Sequence, residues 1–198
     1  MKKLMSLLMV LALMLTGVCA LAETEAAEPA EQTEQTEQTE QTEQIVLDWE
    51  TVEPYVEQNK LDGAFYVYED YGIRYWVPAM CEKVTLTDEQ IADGWIDAFG
   101  NDNEELTLVI QYTNVGSGAT FEDIAKNAAD QIKGAGLAKI NGFNAMMCDL
   151  ATGNQREVFI GTDQDGYFLS FTYTGTDNPE YEQYINCAIA SIMPYSAN

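Results

Sequence analysis

The clearest pattern of apolar and polar positions lies between Ile140 and Met193. Ile140-Asn141-Gly142 reads as a turn, and the run from Phe143 to Leu150 then sets Phe143, Ala145 and Met147 on one side against Asn144, Met146 and Cys148 on the other. Glu157 to Ile160 and Tyr167 to Thr174 continue the strand-like pattern on either side of Asp163-Gln164-Asp165-Gly166. Asx and glycine residues supply the positive φ angles that hairpin turns need, so the three runs predict an antiparallel meander. A helix closes it, beginning at Asn178 with Pro179 in the first position and an apolar stripe of Tyr181, Ile185, Ala188, Ile189 and Ile192.

The preceding half adds two hairpins and a helix. Phe65 to Glu69 and Ile73 to Val77 flank Asp70-Tyr71-Gly72, with Pro78 ending the second strand because it has no N–H to give to a ladder. Phe65, Val67, Ile73, Tyr75 and Val77 are expected to face the core, which leaves Tyr66, Tyr68 and Trp76 on the other face. Val84 to Glu89 reads as an irregular connection. Trp95 to Phe99 and Leu106 to Thr113 then pair around Gly100 to Asn103, with Leu106, Leu108, Ile110 and Tyr112 sharing a face. Thr120 caps a helix whose stripe is Phe121, Ile124, Ala125, Ala128 and Ile132, ended by Gly134 and Gly136. A short helix spans Asp48 to Asn59, capped by Thr51 and with Pro54 in its first turn. The predicted fold class is α+β, a mainly antiparallel sheet of about seven strands packed with two amphipathic helices.

The N-terminal residues do not belong to that core. Lys2-Lys3, the apolar run Leu4 to Val18 and Ala20-Leu21-Ala22 have the three regions of a secretory signal, with cleavage expected after Ala22. The apolar run, about fifteen residues, falls short of the roughly 20 needed for a permanent span. The alternatives are an uncleaved signal that anchors the chain and lipidation of Cys19. Residues 23–44 hold eight glutamates and no basic residue, largely as a repeated Glu-Gln-Thr triplet. Such a stretch has little to bury and repels itself, so it is expected to be a disordered tether. The expected organisation is a signal peptide over 1–22, the tether over 23–44 and one globular domain over 45–198.

Charge and cysteines narrow the partners. Of the chain's 33 acidic and nine basic residues, eight acids and two lysines precede Ile45, leaving 25 acids against seven bases, a charge of −18. An anionic surface repels phosphates, which argues against nucleic acid and against membrane binding by the domain itself. Cys81, Cys148 and Cys187 are expected as free thiols, with Cys187 falling away from the apolar stripe of its helix.

A resemblance follows from the order of elements together with two short motifs. Tyr75-Trp76-Val77-Pro78, where a strand ends on proline, and Ile140-Asn141-Gly142-Phe143-Asn144-Ala145, an Asn-Gly turn before a strand, are similar to features of the PsbP-like family over about residues 64–194. That family is named for an extrinsic photosystem subunit and is also seen in bacterial envelope lipoproteins. The resemblance implies an α+β sandwich. Ala79-Met80-Cys81 stands where the family commonly has Gly-Trp, and no functional residue of the family is matched, so the photosynthetic role is not implied.

Candidate chemistry is sparse. With no histidine in the chain, Ser/His and Cys/His nucleophile pairs and histidine-containing zinc sites are excluded. Asp163 and Asp165 are weak calcium candidates, because aligning Gly166 with the loop glycine puts Gly161 at the first ligand position and Thr172 where a glutamate belongs. The ligand-binding candidates are Tyr66, Tyr68 and Trp76, whose rings would offer contact area at low entropic cost. The expected function is a non-catalytic exported module, without a cofactor, that binds a protein or glycan at or outside the bacterial envelope. Two other classes stay open: an enzyme using carboxylates or Cys81, and a ligand-free structural protein.

Overall fold

The computed structural model describes residues 44–196. The expected signal peptide and, apart from Gln44, the expected tether lie outside the described residues. The described elements are β1 (Ile45–Leu47), α1 (Trp49–Asn59), β2 (Gly63–Tyr68), β3 (Ile73–Pro78), β4 (Glu82–Lys83), α2 (Asp88–Ala92), β5 (Trp95–Gly100) and β6 (Thr107–Asn114). Then come α3 (Phe121–Asn127), β7 (Ile132–Ile140), β8 (Phe143–Leu150), β9 (Gln155–Gly161), β10 (Tyr167–Thr174), α4 (Pro179–Ala190) and β11 (Met193–Pro194). The fold is α+β, as its patterning predicts. Eight strands, not seven, form the main sheet in the order β1-β7-β8-β9-β10-β6-β5-β4, and β11-β3-β2 form a second one.

The meander has four strands because β7 precedes its expected first member. Asn141 and Gly142 have φ of 45° and 92°, and Ile140 pairs with Phe143, so the two residues make a tight hairpin turn. Gly134 and Gly136 are not helix terminators: α3 stops at Asn127, and the two glycines lie in β7 opposite Asp149 and Met147. Ile132 still reaches the apolar cluster of Ile124, Met146, Cys148, Phe159 and Phe168, but from the start of a strand.

Two further corrections concern helix starts. The expected irregular stretch after Val84 contains α2, opened by a capping box in which Thr87 Oγ1 accepts from the Gln90 N–H at 3.2 Å and Gln90 Oε1 from the Thr87 N–H at 2.8 Å. α1 begins at Trp49 with Asp48 at the cap position, so Thr51 is inside the helix and Pro54 lies beyond the first turn.

The main sheet is covered on both faces. On one, α3 packs over Met146, Cys148, Phe159 and Phe168, with the Phe121 and Phe168 rings 5.4 Å apart. On the other, the small sheet brings Tyr75 against Phe171 and Phe99, at 5.7 and 6.3 Å, and Arg156 of β9 donates to Asn186 of α4 at 3.1 Å. α1 lies outside α4, joined through Tyr55, whose hydroxyl donates to Gln183 at 3.3 Å. This placement corrects the reading of Cys187. Its side chain is fully buried because α4 has neighbours on more than its apolar stripe.

Cys81, Cys148 and Cys187 are free and buried. Burial pushes their thiols up to about 11, 12 and 12, with Glu157 and then Asp149 adding to the effect at Cys148. Native protein at pH 8 is therefore expected to show none of these three thiols to a disulfide reagent, and denaturation to release three more equivalents than the native count. A native count that already includes them would refute this.

Candidate functional site

The hairpin β2–β3 decides the fate of the predicted site residues. Tyr68 pairs with Ile73, Tyr66 with Tyr75 and Phe65 with Trp76. Directly opposed residues share a face, so Tyr66 and Tyr68 lie with Tyr75 on the core side, whereas Trp76 shares the outer face with Phe65, Val67 and Arg74. The faces of β2 are thus the reverse of those expected, because the four-residue connection Glu69–Gly72 sets odd positions of one strand opposite even positions of the other. Tyr66 packs edge-on to Phe99 at 4.8 Å, and the Tyr68 hydroxyl donates to the buried Asp97 carboxylate at 2.9 Å. Trp76 is buried between Trp49 and Tyr184, each 6.4 Å away. The three candidates do not form one surface.

A different aromatic group does. Tyr71 from the connection between β2 and β3, Tyr112 near the end of β6 and Tyr167 at the start of β10 stand in a row, with centroid separations of 5.3 and 4.9 Å. All three are half-buried. The Tyr112 hydroxyl donates to Gln164 Oε1 at 2.9 Å, and Asn114 Nδ2 donates to the Tyr167 hydroxyl at 2.9 Å. Burial, then Asp70 and Tyr112, raise the Tyr71 hydroxyl above its ordinary value, so it remains a neutral phenol.

Two close backbone approaches hold the row. Gly166 has φ of 76°, and a Cβ there would collide with the Gly116 backbone, so only glycine lets the turn before Tyr167 sit on the 116–118 loop. Asp165 fastens the same junction by accepting from the Ser117 hydroxyl and the Gly118 N–H. Those bonds hold its carboxyl below the usual range. Asp165 is thus occupied as a loop clamp, while Asp163 stays exposed on the turn. On the other side the Tyr112 N–H donates to the Gly94 carbonyl at 2.8 Å, where Gly94 has φ of 88°.

Sequence reasoning missed this row because its members come from a turn and two strands far apart in the chain. The available signal was chemical: Tyr112 and Tyr167 sit at strand ends, where an inward apolar position needs no hydroxyl.

Among the described residues no three His, Cys, Asp or Glu side chains are grouped so as to hold a metal ion. Cys81 is buried, and burial pushes its thiol up to about 11, which disfavours the thiolate. Glu157 of β9 has its carboxyl raised by burial, partly offset by a hydrogen bond with Thr172. A carboxyl raised in the fold makes its ionised form unfavourable there, so stability falls as pH rises from the ordinary value of 4.5 through the folded one. Glu157→Gln is expected to raise the urea midpoint at pH 7 and to leave it unchanged below pH 4.5. An equal shift at both pH values would show that ionisation is not the cause.

No family model matches the chain, and no curated protein sequence does. The chain is similar to the cyanobacterial PsbP (CyanoP) from Synechocystis sp. PCC 6803, with a TM-score of 0.47 and 12% identity over 68% of this chain and 94% of that one. It is also similar to a protein from Bacteroides thetaiotaomicron VPI-5482, with a TM-score of 0.42 and 12% identity over 68% of this chain and 49% of that one. A protein of unknown function from Pseudomonas aeruginosa shares 19% identity over 68% of this chain and 99% of its own, with a TM-score of 0.37. These likenesses concern fold alone. Among the described residues no helix is long and apolar enough to cross a membrane.

Proposed function

We propose that this chain is an exported, non-catalytic binding module that docks a protein at or outside the bacterial envelope through Tyr71, Tyr112 and Tyr167. The observation that carries this reading is the convergence of three half-exposed tyrosines from three separate segments, two of them hydrogen-bonded to side-chain amides. Tyrosine is an effective contact residue because a large rigid ring with a polar tip loses little entropy on docking. Tyr112 stacks on Tyr167 at an interplanar angle of 22° and Tyr71 is tilted by 52° to Tyr112, so the rings do not make the single flat platform a sugar would stack on, and a protein surface suits them better. Export, cleavage near Ala22 and the 23–44 tether belong to the same proposal, on the strength of their composition. The domain organisation over 1–22, 23–44 and 45–198 does so too.

The test compares full-length chain with Tyr112→Ala/Tyr167→Ala for retention on surface material of the producing cell. The variant is expected to lose at least about tenfold in retention while its far-UV circular dichroism is unchanged, the size of effect that loss of an aromatic anchor gives. Equal retention of the two folded proteins would overturn the reading.

A further inference from the structure

We infer that the partner presents a basic segment, carrying arginine or lysine, to the tyrosine row. This rests on the reading of that row as a docking surface and specifies what docks there. The row's surroundings supply the reason. Glu69 and Asp70 immediately precede Tyr71, Asp163 and Asp165 flank the Gln164 that accepts the Tyr112 hydroxyl, and Asp93 adjoins the Gly94 bonded to the Tyr112 backbone. All five carboxylates are exposed. None takes part in the three ion pairs found among the described residues, which join Lys83 to Asp97, Lys126 to Glu122 and Arg156 to Asp149. The described arginine nearest in sequence, Arg74, lies over the Phe65 ring at 5.2 Å on the outer face of the small sheet.

The row is therefore a set of tyrosines adjoined along the chain by carboxylates that no basic side chain of the described residues offsets by pairing. Carboxylates beside aromatic rings favour a cation, which gains from the carboxylates and, over an open ring face, from the ring quadrupole. Guanidinium suits the place best, since it can lie flat on a ring while donating to carboxylates. The formal charge of −24 on the whole chain steers a basic partner and repels an acidic one, so local and overall electrostatics agree.

The experiment titrates full-length chain with a peptide of alternating arginine and alanine, and with the same peptide carrying neutral citrulline for arginine, at low and at physiological salt. NMR shift changes of the tyrosine rings report the place of binding. The arginine peptide is expected to bind at least tenfold more tightly than the citrulline peptide and to perturb Tyr71, Tyr112 and Tyr167. Tyr112→Ala/Tyr167→Ala, which keeps every carboxylate, should weaken it at least tenfold, and Asp70→Asn/Asp163→Asn, which keeps every ring, severalfold. If the tyrosine variant binds the arginine peptide as the parent does, the attraction is only the diffuse charge of an acidic chain and the inference is overturned. Equal binding of both peptides at the row would overturn the basic partner while leaving the docking surface standing. Binding of neither at the row would also overturn the inference, and the retention test above then decides the docking surface by itself.

Discussion

Asn141→Ala is expected to lower the unfolding free energy by about 3 kcal/mol, read from urea denaturation at pH 7. The residue sits in the β7–β8 turn, yet its side chain makes three hydrogen bonds to two other segments. Its Oδ1 accepts from the Trp49 N–H at 2.7 Å, and its Nδ2 donates to the carbonyls of Ala190 and Ile192 at 2.6 and 2.9 Å. These are the first N–H of α1, the last carbonyl of α4 and a carbonyl just beyond it, groups that helix geometry leaves without an internal partner. Each lost bond contributes about 1 kcal/mol, more where the stranded group is shielded from water. Alanine would also have to adopt the φ of 45° that asparagine tolerates. Asn141→Gly separates the two causes, because glycine accepts that backbone but makes none of the bonds. If glycine restores parental stability, strain rather than side-chain bonding holds this corner.

Lys83→Met is expected to cost about 3 kcal/mol, the low end of the range for stranding a buried charge, because the lysine itself is largely in solvent. Lys83 Nζ lies 2.8 Å from Asp97 Oδ2, with side-chain exposures of 60% and 2%. Without the lysine, the carboxylate keeps the Tyr68 hydroxyl and the Ala98 N–H, the latter at 3.1 Å. Neither carries charge. Burial and the neighbouring Asp97 push the Tyr68 hydroxyl well above its ordinary range, so it remains a donor and does not add a second negative charge. Adding Asp97→Asn to Lys83→Met should recover most of the loss, since a neutral amide there needs no counter-ion. Additive losses in the double variant would mean that the two side chains do not act as a pair.

The elements easiest to read were those whose information is local. Asn178 and Pro179 open α4, Thr120 caps α3, and Asn141-Gly142 turns β7 into β8, each through the conformational preference of one or two residues. Reading failed where a partner from elsewhere chooses between local alternatives. Ile132 continues the apolar period of the preceding helix, but β8 offers residues 132–140 a ladder on one side and β1 pairs in parallel with residues 138–140 on the other. The aromatics of β2 were assigned to the wrong face because alternation fixes which residues share a side, not which side is buried. That choice depends on pairing with β3 and on Asp97 waiting across the core for the Tyr68 hydroxyl.

By itself the sequence determined the class of fold, the net acidity of the chain and the lack of histidine, because composition and short-range periodicity act without reference to the rest of the chain. Only the tertiary structure decided that Trp76 belongs to the interior, that Cys187 has no free side, and that Tyr71, Tyr112 and Tyr167 form one surface. Those outcomes are set by contacts between residues tens of positions apart. Strand register and layer packing fix such contacts, and no local stretch of the chain contains them.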